Sequence, residues 1–124
     1  MAPAIIMALK ASERFSLSAG LAPIAAARLG VVIEELVSNT LRHGAESRDI
    51  TVEFVLSEAA GQVRIELTDN GAPFDPTAER EFDGPDRDSG GGVGLALIRA
   101  WAYEASYARE SGRNHVRITL PSSK

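Results

Sequence analysis

The sequence predicts an α+β fold, a two-layer sandwich whose helices pack on one face of a mixed, mostly antiparallel sheet. Three observations predict it: stretches with apolar residues at helical spacing, two pairs of segments in which apolar and polar residues alternate, and a long aperiodic segment between the pairs. Helices and strands in this order are typical of a sheet covered on one side. A chain of 124 residues suits one hydrophobic core, so we expect residues 1–124 to form a single domain.

Two helices are predicted at the start of the chain. Residues 3–19 mix Ala, Ile and Leu with Ser, and Gly20 followed by Pro23 indicates a helix end and a new start. Residues 22–43 have apolar positions at spacings of three and four, as in an amphipathic helix packed on a core. These positions are Leu29, Val32, Ile33, Leu36, Val37 and Thr40.

Four strands are predicted in two hairpins. The alternating segments are 50–57 and 62–69, which turn at Gly61, and 104–110 and 115–121, which are joined by residues 111–114. In the last segment Val116, Ile118 and Leu120 are expected to face inward.

A long loop and a third helix separate the hairpins. Residues 75–92 are rich in Pro, Gly and acidic residues and have no period. Loops of this length inside a compact domain are usually functional, so we expect a mobile lid. Helical periodicity returns in VGLALIRAWAYE, residues 93–104.

Composition excludes several classes of function. Thirteen Lys and Arg against 17 Asp and Glu give a net charge of −4 without a long basic cluster, so nucleic acid is not an expected partner. The absence of cysteine excludes disulfides and thiolate metal sites. The apolar run near the start is too short to span a membrane and lacks the features of a secretory signal. We expect a cytoplasmic protein with no membrane partner.

The second helix carries a polar row. Glu35, Asn39 and Arg42 stand four and seven residues apart, which places them on one helical face, and His43 lies at the edge of that row. The row borders the apolar stripe, where a pocket can form. A solvated face with a Glu-to-Arg pair is an equally good interpretation of this helix taken alone.

A second motif, TDNGAPFDP, follows the second strand directly. Asp-Asn-Gly is a common turn sequence, and as a bare turn it needs no function. A hairpin turn, however, leads into another strand, and this one leads into the long loop. Asp69 is therefore well placed to accept a hydrogen bond from a ligand amine.

The third motif, SGGGVGLALI, places four glycines within five residues at a helix start. Glycines let backbone amides approach a phosphate, and a helix N-terminus adds partial positive charge. The motif is not a P-loop, because no Gly-Lys-Ser or Gly-Lys-Thr follows. It also differs from a dinucleotide-binding fingerprint, because no strand runs into it.

In this order the three motifs resemble the N, G1 and G2 boxes of the GHKL ATPases, which have the Bergerat ATP-binding fold. The segments EELVSNTLRHG, TDNGAPFDP, GGVGLALIR and SYARESGRNHVRITL are most similar to the stand-alone kinases of the anti-sigma-factor group. The resemblance covers about residues 22–121.

The resemblance assigns roles to the helix residues. Glu35 corresponds to the general base and Asn39 to the residue that holds magnesium against the phosphates, while Arg42 and His43 correspond to residues lining the nucleotide.

The resemblance also assigns roles to residues of the other motifs. Asp69 corresponds to the acid that recognises the adenine amino group, and Gly71 allows the base to approach. The phosphate-facing turn corresponds to Gly92, Val93, Gly94 and Leu95, and a last-strand hydroxyl near the nucleotide to Thr119, although Thr is also an ordinary strand residue.

The function that the resemblance implies is that of an ATP- and Mg²⁺-dependent protein serine/threonine kinase. As an anti-sigma factor it would phosphorylate an anti-anti-sigma (STAS-type) protein and alternately sequester a sigma factor, and a homodimer is compatible with the family. Only 34 residues precede Glu35, where the family usually has an opening strand and a longer helix. This departure concerns partner binding and dimerisation rather than the nucleotide site.

Two alternatives stay open. One is the catalytic domain of a sensor histidine kinase working in trans, because the residues before Glu35 leave no room for a dimerising helix with a phospho-accepting histidine. The other is a binding module that ATP gates without being consumed.

Overall fold

The computed structural model describes residues 3–44, 49–78 and 93–123, without the side chains at positions 43, 44 and 93. The elements in chain order are α1 (Pro3–Ala19), α2 (Pro23–Gly44), β1 (Val52–Ala59), β2 (Gln62–Asp69), α3 (Val93–Trp101), β3 (Glu104–Glu110) and β4 (Arg113–Pro121). The predicted α+β sandwich is confirmed. No helix in the described part of the chain is long and apolar enough to cross a membrane.

The sheet has the strand order β1-β2-β4-β3. Every pairing among these four strands is antiparallel, so the described sheet lacks the parallel pair that a mixed sheet would contain. The two central strands, β2 and β4, are not consecutive in the chain, since α3 and β3 lie between them. Because β2 and β4 pair antiparallel, the end of β2 lies beside the start of β4.

The core lies between the inner face of the sheet and the helices. Alternate residues of β2 and β4 face α2 and α3, and each fully buried aliphatic side chain stabilises the fold by about 1.5–3 kcal/mol. A one-residue slip would turn these side chains to solvent, so burial fixes the register. The largest buried side chains of this core are Leu29, Val32, Ile33, Val37, Val63, Ile65, Leu67, Ile98, Ile118 and Leu120.

The break between α1 and α2 occurs where the sequence predicts it. Gly20 has a φ of +68°, and the amide of Leu21 donates to the carbonyl of Ser16 at 3.0 Å. The amide of Gly20 donates to the carbonyl of Leu17 at 3.3 Å. These two bonds form a Schellman cap, which ends α1 and returns the chain along it as α2.

Several element boundaries differ from the sequence prediction. β1 occupies Val52–Ala59 rather than residues 50–57, and α2 is displaced by one residue. α3 ends at Trp101 rather than at residue 104, since the amide of Tyr103 donates to the carbonyl of Thr119 at 2.8 Å. The turn between β3 and β4 is shorter than predicted, and Arg113 and Asn114 belong to β4.

Both hairpins close with two residues in the left-handed region. Ala60 and Gly61 have φ values of 55° and 78°, and Ser111 and Gly112 have 51° and 74°. Two positive φ values in succession are the geometry of a type I′ turn, which matches the twist of antiparallel strands. Asn-Gly is the preferred pair for this turn, so Ala60 is a strained choice.

Replacing Ala60 by Asn should therefore raise the free energy of unfolding by about 0.5–1 kcal/mol, because Asn adopts positive φ at a lower cost than Ala. Chemical denaturation measures the change. Ala59→Asn is the matched control, since position 59 lies in β1, where Asn is disfavoured. Equal effects of the two substitutions would contradict the turn assignment.

Candidate functional site

The site begins with a polar pair on the buried face of the sheet. Val63, Ile65, Leu67 and Asp69 are the inward positions of β2, and Asp69 is the last of them. Asn114 lies directly opposite it on β4. Both residues are 3% exposed, so a carboxylate and an amide occupy the final layer of an otherwise apolar core.

Both oxygens of the Asp69 carboxylate accept hydrogen bonds. Oδ1 accepts from the amide of Gly71 at 2.8 Å and from Nδ2 of Asn114 at 2.9 Å. Oδ2 lies 3.3 Å from Oγ1 of Thr40, which is also 3.1 Å from the carbonyl of Leu36. The Thr40 hydroxyl has one proton for two acceptors, so Oδ2 keeps capacity to accept from a ligand amine.

Asn114 uses its whole hydrogen-bonding capacity. Besides Asp69, Nδ2 donates to the carbonyl of Ala72 at 2.9 Å, while Oδ1 accepts from the Tyr107 hydroxyl at 2.6 Å and from Nη1 of Arg109 at 3.1 Å. The same Nη1 donates to the carbonyl of Gly71 at 2.7 Å. The hairpin β3–β4 therefore holds the loop that follows Asp69 in place.

A cleft opens beside this pair, between α2, the sheet and the loop after β2. Its cavity volume is about 10 Å³, which is roughly the space that one water molecule needs. A purine ring is larger than this space, so a nucleotide base bound here would require the loop carrying Phe74 and Pro76 to move aside. The lining residues are Leu36, Asn39, Thr40, Leu67, Asp69, Ala72, Phe74, Pro76, Asn114 and Val116.

The polar row of α2 runs from this cleft towards α3. Nδ2 of Asn39 donates to Oε2 of Glu35 at 2.7 Å, and Nη2 of Arg42 donates to Oδ1 of Asn39. Asn39 is 3% exposed. The hydrogen bonds fix the orientation of the Asn39 amide and hold the Glu35 carboxylate in one position.

The start of α3 lies against Glu35. A Cβ atom at Gly94 would overlap the carboxyl group of Glu35, so a larger residue here would push that side chain out of its present position. The other end of α3 is also attached to α2, because the guanidinium of Arg28 lies 5.2 Å from the ring centre of Trp101. The side chain of Leu95 is buried in the core rather than directed outward.

For the remaining predicted site residues the structure describes the backbone alone or nothing. Gly92 lies outside the described residues, as do the side chains of His43 and Val93 and residues 79–92 of the predicted lid. In the described start of that segment, Asp75 accepts from the amide and hydroxyl of Thr77.

The assignment of Thr119 to the nucleotide site needs correction. Thr119 pairs with Arg64 on β2 and with Glu104 on β3, and it alternates with the inward residues Ile118 and Leu120. It therefore lies on the outer face of the sheet, about 17 Å along β4 from Asn114 at 3.4 Å per residue. Its side chain does not reach the cleft.

The sequence analysis missed Asn114, Thr40 and Arg109 as site residues. Asn114 was assigned to a turn, yet it continues the inward alternation of Val116 and Ile118, where a polar residue needs a partner. The sequence pattern places Thr40 in the apolar stripe, although its hydroxyl, like the Asn114 amide, needs a hydrogen-bond partner at a buried position. Nothing in the sequence pattern singles out Arg109.

The residues present suit a magnesium nucleotide better than a free metal ion. The described residues contain no group of three or more His, Asp or Glu side chains that could hold a metal. Asn39 offers one amide oxygen, and Mg²⁺ typically combines one or two protein oxygens with phosphates and water. Asn39 would release Arg42 to do so.

Fold and site together define an α+β nucleotide-binding domain. The buried acid Asp69 contacts α2 at Thr40, and the hydrogen-bonded pair of Glu35 and Asn39 lies on the same helix on the side towards α3. The sequence matches the histidine kinase-like ATPase domain family over residues 4–120. The chain belongs to this family and has an ATP-binding function of the kinase type.

One curated protein and two solved structures are similar to this chain. The serine/threonine-protein kinase BtrW of Bordetella bronchiseptica is 29% identical over 102 residues, which cover 77% of this chain and 70% of BtrW. The blue-light activated histidine kinase EL346 of Erythrobacter litoralis superposes with a TM-score of 0.58 at 24% identity, over 83% of this chain but 32% of EL346. The catalytic domain of histidine kinase ThkA gives 0.57 at 13% identity, over 80% of this chain and 70% of that domain. The two structures show the shared fold.

Replacing Asn114 by Ala should weaken nucleotide binding about tenfold or more, because the Asp69 carboxylate and the loop after it lose their shared partner. Calorimetric titration with ATP and magnesium measures the affinity. Thr119→Val is the matched control on the same strand and should leave the affinity unchanged. The reverse ranking of the two variants would refute the placement of the site.

Gly94→Ala should displace Glu35 and break its hydrogen bond to Asn39, which costs about 1 kcal/mol and offsets the gain in helix propensity that alanine brings to α3. Gly30→Ala in α2 meets no atom within 4 Å and should instead stabilise the fold by about 0.5–1 kcal/mol. Thermal unfolding of both variants compares them. If Gly94→Ala is as stable as Gly30→Ala, the contact with Glu35 has no energetic role.

Proposed function

We propose that this chain is an ATP-binding serine-protein kinase that acts as an anti-sigma regulatory factor and phosphorylates an anti-anti-sigma partner. One observation carries the proposal: the Glu35 carboxylate is held beside Gly94 at the start of α3 by the Asn39 amide. A pure binding module has no need of a positioned base next to the place where phosphates would lie.

The spacing of the site supports an extended nucleotide. Thr40 contacts Asp69 at one end, and Glu35 lies five residues earlier on α2, about 7.5 Å along the helix. Asp69 would accept from the adenine amino group. The first turn of α3 would present backbone amides and its positive helix end to the phosphates.

Glu35 would then act as the general base. Its carboxylate would accept the proton of a substrate serine hydroxyl as the oxygen attacks the γ-phosphorus and ADP departs with the bond electrons. Magnesium, when bound at Asn39 and the phosphates, supplies neutralisation of their charge. Arg42, which donates to the Asn39 oxygen in this structure, would leave that oxygen to magnesium and line the nucleotide instead.

The similarity to BtrW supports serine or threonine as the acceptor, since that relative is named a serine/threonine-protein kinase. The partners, an anti-anti-sigma protein of the STAS type and a sigma factor, follow from the resemblance of the motifs.

Glu35→Gln tests the base directly. The amide oxygen can still accept from Asn39, so ATP affinity should change by a few-fold at most, while phosphoryl transfer should fall by about 10²–10⁴-fold. The assay captures a partner from a lysate of the source organism and follows radiolabelled phosphate from ATP to it, with and without magnesium. Glu34→Gln removes the same charge from the exposed neighbouring position and should transfer at the parental rate.

The outcomes separate the three functions. Acid-stable phosphate on the partner, lost in Glu35→Gln, supports the serine kinase. Acid-labile phosphate identifies a histidine kinase working in trans. ATP binding without transfer in the parent protein replaces both with an ATP-gated binding module.

A further inference from the structure

The carboxylate of Asp69 is held in a fixed orientation. Its Oδ1 accepts from two donors, the amide of Gly71 at 2.8 Å and Nδ2 of Asn114 at 2.9 Å. Two donors on one oxygen fix the plane of the carboxylate, so that Oδ2 points towards Thr40, which also lines the cleft. The group that Asp69 can recognise in a ligand therefore depends on how firmly Gly71 and Asn114 are held.

One nitrogen of Arg109 contacts both of these donor residues. Nη1 donates to the carbonyl of Gly71 at 2.7 Å and to Oδ1 of Asn114 at 3.1 Å, which uses both of its hydrogens. Arg109 reaches them because the register places it opposite Asn114, which itself lies opposite Asp69. An arginine near the end of a surface hairpin ordinarily keeps its guanidinium in water. Two charge-assisted bonds that converge on the donors of one carboxylate indicate a role in the site.

The turn after Asp69 is also attached to the opposite side of the sheet. Oδ1 of Asn70 accepts from the amide of Thr51 at 2.8 Å, and its Nδ2 donates to the carbonyl of Asp49 at 3.4 Å. Both partners precede β1, so this side chain continues the pairing of β1 with β2 beyond the last backbone pair. The turn is therefore held towards both edge strands, through Asn70 on the β1 side and through Arg109 on the β3 side.

Adenine and guanine differ at the group that Asp69 would face. Adenine carries an amino group, which donates, where guanine carries a carbonyl, which accepts. An ionised carboxylate only accepts, so a fixed Oδ2 bonds the amino group but meets the guanine carbonyl with no proton between them. A carboxylate that could rotate or withdraw would avoid this unfavourable contact. Discrimination between the two bases therefore depends on the rigidity of the turn as well as on the acid.

We propose that Asn70 and Arg109 are positioning residues that set the preference of the site for adenine over guanine nucleotides. Neither residue lines the cleft, so both act through Gly71 and the Asp69 carboxylate rather than by touching the base. The inference rests on the proposed function, in which Asp69 accepts from the adenine amino group.

The ratio of ATP affinity to GTP affinity tests the proposal. Calorimetric titration with each nucleotide and magnesium measures it, and effects at the phosphates cancel because the two nucleotides share them. Asn70→Ala and Arg109→Leu should each lower the ratio about tenfold or more, because a mobile carboxylate loses its bond to adenine and no longer rejects guanine. Arg109→Lys keeps a charged donor and should recover part of the ratio.

Matched controls separate positioning from a general loss of stability. Arg113→Leu removes the same charge next to Asn114 but on the opposite face of β4, and Gln62→Ala removes an amide from the exposed start of β2. Both should keep the parental ratio. Neither Asn70 nor Arg109 is buried, so thermal unfolding should show every variant folded at the temperature of the titration. An equal fall of the ratio in the controls would overturn the proposal.

Asp69→Asn distinguishes this inference from the proposed function. Its amide can donate to guanine, so the preference for ATP should be lost. If Asp69→Asn keeps the parental ratio, or if the parent binds both nucleotides equally, Asp69 does not read the base and both ideas fail. If Asp69→Asn loses the preference while Asn70→Ala and Arg109→Leu retain it, the role of Asp69 stands and the positioning role of the other two is refuted.

Discussion

The buried carboxylate of Asp69 constrains much of this structure. A charged group removed from water is tolerated when its oxygens are hydrogen-bonded, so the fold must bring donors to a fixed point at the end of β2. The donors come from three directions: Thr40 of α2, the backbone of Gly71, and Asn114 of β4. These three contacts fix how α2 lies over the sheet, how the chain leaves β2, and how β4 is aligned with it.

Helix α2 connects the two ends of the site. Its apolar stripe is buried in the core, and the polar residues at the border of that stripe contact Asp69 at one end and Gly94 at the other. α3 is attached to α2 at both of its ends, through Gly94 and through Trp101. Both parts of the site, the surroundings of Asp69 and those of Glu35, therefore depend on the position of α2. A substitution that alters the packing of α2 would displace both.

The sequence was sufficient for the fold and for part of the site. Helical and alternating periodicities predicted the elements because burial requires them, and the Gly20 cap and the hairpin turns follow from local backbone chemistry. Asn114 was missed because the turn before β4 takes two residues, which local composition did not reveal. Thr119 was assigned from the resemblance, while the alternation of Ile118 and Leu120 already placed it on the outer face. Arg109 reaches the site only through the antiparallel register, which is a tertiary property.

The small volume of the cleft has a consequence for how the domain responds to its ligand. A protein whose binding-competent state is a minority binds with its intrinsic affinity reduced by the fraction of molecules in that state. Each 1.4 kcal/mol that favours the closed arrangement of Phe74 and Pro76 over the cleft lowers the apparent affinity tenfold. With the base bound in this cleft, the loop after β2 would set the nucleotide concentration at which the domain fills, independently of the groups that touch the phosphates. Evolution could retune this threshold through residues that pack against the loop and leave the chemistry of the site unchanged.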